Sequence, residues 1–315
     1  MMETIKLGIG FGGWRLGTPS AATVFELIDK AEAWGIDSIW LSDHIIDVGA
    51  HPELDTPSML AAIAARTTRM KMGPSVLSLP LRHPVVTAKT FATLDYLAPG
   101  RVICAVGLGS NPKEFGALGM TIEHRAGKLD EGMVLMRKLW ADSHVSFTGK
   151  YYQVQDISIE PKPARGYIDL WVGGRTDFAL KRVARLGDGW FASRVTPQQF
   201  QEGRQKIAEF AEHYGRGDAD IEAGAIVFCN VAERSQEAHA MADRFCQSMP
   251  DREHVEQFWP IGSPQECCDK IARYVEAGLT KFVLWPACPP SELIAQVDRF
   301  AHDIVPQFSA VENRQ

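Results

Sequence analysis

The sequence predicts a closed (β/α)8 barrel with insertions at its carboxyl-terminal mouth, and three observations carry that expectation. Eight short apolar runs alternate with longer amphipathic segments along 315 residues, the pattern of parallel βαβ units. Each run is too apolar to face water, as strands covered on both sides are. The length suits a barrel enzyme held as one domain. An open doubly wound sheet is the alternative that the same alternation allows.

The runs are KLGIGF (6–11), SIWLSD (38–43), KMGPSVL (71–77), RVICAVGLG (101–109), DLWVGG (169–174), DGWFAS (188–193), IEAGAIVFC (221–229) and KFVLWP (281–286). After the first, TPSAATVFELIDKAEAWG opens with Pro19 and Ser20 and closes on Gly35, the signals of a helix start and stop. SPQECCDKIARYVEAGL repeats that arrangement with Pro264 and Gly278. In the third run Pro74 cannot donate to a ladder, so a distortion is expected there. Segments 110–168 and 230–262 exceed ordinary strand-to-helix spacing and follow carboxyl ends of strands, so they read as lids of a single domain spanning 1–315. The first holds a helical stretch, EHRAGKLDEGMVLMRKLW, and then FTGKYYQV, a short strand or hairpin.

Composition narrows the partners. At 45% hydrophobic and 23% charged residues the chain is an ordinary globular one. A net charge of −6 leaves no broad basic surface, which disfavours nucleic acid and acidic lipid. No apolar stretch approaches the ~20 residues of a membrane span, and MMETIKLGIGFGG lacks the features of a secretory leader, so a cytoplasmic protein is expected. Six cysteines without CxxC spacing read as reduced core thiols.

The second run ends in Asp43 and His44. Strand alternation puts Ile39 and Leu41 on one face and Trp40, Ser42 and His44 on the other. If the first face meets the helices, His44 points inward at the carboxyl end, where barrel enzymes place catalytic groups. A hydrogen-bonded structural histidine is the plainer alternative. Asp47, His51, Glu53 and Asp55 follow, which keeps a metal site in view. Against it, the first strand supplies no imidazole or carboxylate. Phe11, Trp14, Trp190 and Trp285, near strand ends, together suggest an apolar substrate pocket.

Several words of the sequence then point one way. SVLSLPLRHPVVTAKTFATLDYLAPGRVICAVGLGSNPKEFGALG (75–119) closely resembles a stretch of the luciferase-like monooxygenase superfamily. WLSDH, the trio Arg125, Asp130 and Glu131, FTGKYY, the PKP of 161–163, LWVGG and GDGWF follow in the same order as in that superfamily. The resemblance covers essentially the whole chain and implies a (β/α)8 TIM barrel binding FMN or the deazaflavin F420 at its carboxyl mouth. SDH with an ungapped GLGSNPKEF looks more like the F420-dependent branch, an oxidoreductase moving hydride to or from a small-molecule substrate. The alternative is an FMN-dependent monooxygenase fed by a separate reductase. Related proteins are commonly homodimers.

Residue by residue, the resemblance implies His44 as general acid or base, an imidazole being suited to proton transfer near neutrality. Asp43 is expected to bond the cofactor or shape the turn. A non-prolyl cis peptide at Ser75–Val76 is expected to bulge against the ring. Gly107, Leu108, Gly109 and Ser110 would line the cofactor, the glycines allowing close backbone approach. Some sugar-phosphate-oxidising relatives carry a catalytic glutamate at the position of Ser110, so that activity is in question here. Gly173, Gly174 and Arg175, before a helix start at Thr176 or Asp177, would take the phosphate tail. Ser193, with Arg194 and Thr196, is a further candidate. Arg82, His83 and the Arg125 trio read as architectural.

Overall fold

The computed structural model describes residues 5–46, 52–247 and 255–309. Eight parallel strands form its centre: β1 (Lys6–Phe11), β2 (Ser38–Leu41), β3 in two pieces (Lys71–Pro74 and Leu77–Ser78), β4 (Ile103–Gly107), β5 (Asp169–Gly173), β6 (Gly189–Ser193), β7 (Glu222–Val231) and β8 (Lys281–Pro286). Six of the eight runs contain their strand whole, and β3 and β7 begin within theirs and run past the end, to Ser78 and Val231.

β1 pairs with β2 on one side and β8 on the other, and β8, β7, β6, β5 and β4 follow in order. The circle closes at β3. Its first piece pairs with β2, and its second pairs with β4 at Leu77–Val106 and Ser78–Gly107. A single bridge, Met72 to Val102, joins the first piece to β4's approach. The sheet is therefore a barrel and not an open doubly wound sheet.

Side-chain alternation falls as the second run implied. Ile39 and Leu41 join the core between strands and helices. Trp40 joins a separate core inside the barrel with Ile103, Ala105, Trp171, Phe191 and Val283. Trp40 donates its indole N–H to Ser38 Oγ at 2.9 Å, which satisfies the ring's one polar group inside the apolar bore. At the floor of this bore Lys281 is fully buried with its Nζ 3.0 Å from Asp37 and within 6 Å of the Trp40 and Trp171 ring centres. Burial lowers the Lys281 pKa against the pull of Asp37.

The helix layer begins with α1 (Ala21–Ala33), α2 (Thr56–Arg66) and α3 (Pro84–Leu97). Ser20 caps α1 through the Thr23 N–H, as its sequence signal suggested. After β4 come a short α4 (Pro112–Ala117) and a long α5 (Arg125–Ala141). Here the structure corrects the lid expectation. α5 packs against α3 and against α6 (Asp177–Leu186), so it is the fourth helix of the ring. The hairpin Val145–Thr148 with Gln153–Ile157 lies along α5, its tip held by Glu131, which accepts the N–H groups of Lys150, Tyr151 and Tyr152.

α7 (Pro197–His213) follows β6. α8 (Ser235–Cys246), α9 (Val255–Phe258) and a short strand (Ile261–Gly262) fill the second long segment before α10 (Pro264–Glu276). This segment does cover part of the mouth: Phe245, Trp259 and Ile261 form a small core with Phe228 of β7 and Leu16 beyond β1. The C-terminal helix, beginning at Leu293, completes the ring. Five of the six cysteines are buried and Cys268 is half-buried. No described helix is long and apolar enough to cross a membrane.

Candidate active site

Parallel strands present all their carboxyl ends at one mouth, and the sequence candidates gather there. At the end of β2, Asp43 is buried. It accepts both Arg82 Nη atoms at 2.8 Å and the Ser78 N–H at 3.0 Å. Its carboxylate therefore ties β2 to the second piece of β3, the turn-shaping use among the two expected of it. Arg82 and His83 are architectural as read: the first pairs with Asp43, and the second caps α3 through the Val85 N–H.

One residue on, the His44 imidazole is about one-third exposed, and its Nδ1 lies 3.1 Å from Glu114 Oε2. Glu114 stands in the first turn of α4 and is 1% exposed; its other oxygen accepts the Ile45 N–H at 2.8 Å. Asn111 caps that turn and Pro112 opens it, so the carboxylate is fixed from below. A buried carboxylate on Nδ1 holds the imidazole with its proton there and leaves Nε2 to handle a second proton.

The sequence reading overlooked Glu114, whose only signal was an acid three residues past an Asn–Pro helix start. Glu53 it weighed only as a metal ligand. Glu53 accepts the His44 main-chain N–H, and burial pushes its carboxyl above the ordinary range against the nearby imidazole. Its Oε2 is buried without a partner among the described residues. Asp55, another acid of the metal reading, instead caps α2 through the Ser58 N–H. Asp47 and His51 lie outside the described residues. Among the described residues no group of three His, Cys, Asp or Glu side chains is placed to hold a metal ion.

Between the two pieces of β3 the Ser75–Val76 peptide is cis. The Val76 side chain lies across two neighbouring strands. A Cβ at Gly107 would meet Val76 Cγ2 at 2.5 Å, and one at Gly173 would meet Val76 Cγ1 at 2.8 Å. These two glycines thus make room for Val76, a use the sequence did not suggest, and together the three residues form an apolar shelf. Gly109 is left-handed, at φ +68°, which suits glycine. Leu108 is half-buried and Ser110 exposed.

On the far side Arg175 donates to the Arg194 carbonyl at 2.9 Å, joining the loops after β5 and β6 beside half-buried Ser193. Thr176 caps α6. Burial and the neighbouring Arg194 lower the pKa of Arg15, whose guanidinium lies 5.9 Å from the Phe245 ring centre. Of the four aromatic candidates Trp190 is misplaced by the sequence reading. It points outward, stacks on Phe200 and donates to the Gly174 carbonyl. Trp285 sits against Gly10, near Phe228, and Trp14 stacks on Phe11. The expected Arg125 network also differs: Asp130 pairs with Arg182 and Arg185 of α6, not with Arg125.

The mouth therefore offers a flat apolar shelf, a clamped imidazole and buried polar atoms with no partner among the described residues: Trp14 Nε1, Glu53 Oε2 and Ser75 Oγ. Unpaired buried polar groups are costly, and a ring edged with donors and acceptors would satisfy them. That donor and acceptor set fits a flavin-like group.

Residues 4–255 match a model of luciferase-like monooxygenases. The chain is 28% identical to an F420-dependent glucose-6-phosphate dehydrogenase of Beutenbergia cavernae, over 95% of this chain and 99% of that one. Its fold is similar to that of an F420-dependent secondary alcohol dehydrogenase in complex with an F420-acetone adduct (TM-score 0.84, 21% identity, 96% and 99% of the two chains). It is also similar to that of a monooxygenase from Streptomyces bottropensis (TM-score 0.85, 23% identity, 96% and 100%).

Proposed function

Because the chain belongs to the luciferase-like monooxygenase family, we propose that it is an F420-dependent oxidoreductase acting on a small organic substrate. The observation that carries this reading is the His44–Glu114 pair at the same mouth as the Val76 shelf. An end-to-end relative named for F420 supports the cofactor.

F420, when bound, supplies or accepts the hydride. The chain's residues do the rest. Val76, seated on Gly107 and Gly173, supports one face of the ring, with Ser75, Leu108, Gly109 and Ser110 at its edge. Gly174 and Arg175, at the start of α6, take the phosphate, with Ser193 beside them. His44 moves the substrate proton at Nε2, and Glu114 holds the tautomer that makes this possible. Phe228, Trp259, Trp285 and Trp14 wall the substrate from water.

Ser110 offers no acid where some sugar-phosphate-oxidising relatives carry a glutamate, so this reading does not name a sugar phosphate as the substrate. Fluorescence titration of the purified protein with F420 and with FMN tests the proposal. Micromolar binding of F420 alone supports it. Binding of FMN alone, with oxygen uptake when reduced FMN is supplied, replaces it with the monooxygenase reading and a separate reductase. Binding of neither overturns both.

The working unit is a cytoplasmic homodimer in this reading. A groove of about 500 Å3 between α2 and α3 is lined by Pro57, Ala61, Val85, Val86 and Leu97, and Val86 and Tyr96 are well exposed on α3. A second copy covering that face would hide them. Light scattering that gives a monomer mass for the wild type would remove the dimer.

A further inference from the structure

A second opening begins where the proposed phosphate anchor ends. It is a cleft of about 660 Å3 between the start of α5 and one face of α6. Leu108 and Thr176 line its inner end, and Ala179, which packs against Gly174, lies beside them. From there it runs outward past Phe178, Lys181 and Arg185, residues three to four apart that share a helix face, for about 10 Å.

The charge of this cleft is unlike that of the chain. Arg125 faces Lys181, Arg182 and Arg185 across it, and Asp130 is the one acid among its lining residues. Asp130 is taken up by both Arg182 and Arg185. Lys181 lies over the Phe210 ring, and neither it nor Arg125 has a carboxylate partner among the described residues. In a protein of net charge −6 this leaves about three uncompensated positive charges along one groove.

We infer that the cleft binds the oligo-γ-glutamate tail of F420, the part of the cofactor beyond its phosphate. The inference rests on the F420 reading above. A γ-linked tail carries one free α-carboxylate per residue, so it presents a row of negative charges beginning at the phosphate. The groove presents a row of cations beginning at the phosphate anchor. FMN ends at its phosphate and would leave the groove unused, so the cleft also separates the two cofactors by charge.

The test compares two ligands by deazaflavin fluorescence: F420 with several glutamates, and F420 from which all glutamates have been removed. The wild type is expected to bind the tailed form about tenfold more tightly at low salt, as several exposed ion pairs together allow. Raised salt, or the double substitution Arg125→Ala with Lys181→Ala, should shrink that ratio below threefold while leaving the tailless ligand's affinity unchanged. Equal affinity for both ligands at low salt overturns the inference and leaves the cofactor reading intact. Binding of neither ligand overturns the cofactor reading and the inference together.

Discussion

Replacing Glu114 with Gln tests the proton-handling assignment at a single atom. The carboxylate accepts at Nδ1 of His44, 3.1 Å away, so that nitrogen carries the proton and Nε2 its lone pair. Gln can keep its amide oxygen on the Ile45 N–H, which now lies 2.8 Å from Glu114 Oε1. Its amide nitrogen then faces Nδ1 and donates to it, which moves the ring proton to Nε2. A hydrogen bond from the imidazole to an ionised acceptor contributes about 1.5–3 kcal/mol. Lost from the step that charges the ring, this is about a ten- to hundredfold fall in turnover. Nitrogen-15 NMR of labelled histidine reads the tautomer directly, and F420 reduction with a small alcohol such as 2-propanol reads turnover. In a His44→Ala background, itself at least about tenfold slower, Glu114→Gln should cost nothing further, because the two act as a unit. A Gln variant with the wild-type tautomer and turnover within threefold of wild type would refute the reasoning.

Glu53 gives a pH signature. Burial raises its folded-state pKa, so between the ordinary carboxylate range and that raised value the folded protein keeps a proton that the unfolded chain has lost. Stability from this group is full below the ordinary value and declines as pH rises through the raised one. Glu53→Gln should therefore gain on the wild type in urea midpoint at neutral pH and lose that gain in acid; a constant gap would count against it. Gly173→Ala places a methyl 2.8 Å from Val76 Cγ1, an overpacking expected to cost about 1–3 kcal/mol and to weaken cofactor binding, read by thermal melting and by titration. Asp37→Ala leaves the fully buried Lys281 without its carboxylate and should cost about 3–5 kcal/mol in chemical denaturation. An Asp37→Ala variant with unchanged stability would show that the Lys281 ammonium sheds its proton or finds water.

The barrel was legible because its cause is periodic. Each run of β-branched and apolar residues must be covered on both faces, and alternation along SIWLSDH set Trp40 apart from Ile39 and Leu41 before any contact was known. Glycine words marked the mouth but not all of their purpose: Gly107 read as close approach to a ligand and Gly173 as part of a phosphate-binding turn, and both also receive Val76 from another strand. Such a fit depends on three strands meeting, and no local pattern records it. Glu114 escaped for the same reason, since its partner is 70 residues away. The role of α5 was misread because a long connection looks alike in sequence whether it covers the mouth or packs in the ring. Arg125, little more than one helical turn before the acids it was grouped with, faces the α6 cleft instead, and Asp130 turns towards Arg182 and Arg185.

The circle of strands is fastened unevenly. Most neighbouring strands share four or more residue pairs in register, but β3 meets β4 through two pairs and one bridge. This is the clasp of the hoop, and the Val76 shelf is built on it. Val76 reaches from the clasp into both β4 and β5, while Asp43 and Arg82 fasten its other end to β2. A ligand resting on Val76 would bear on the join that turns a sheet into a cylinder, and would thereby tie occupancy of the site to the integrity of the cylinder.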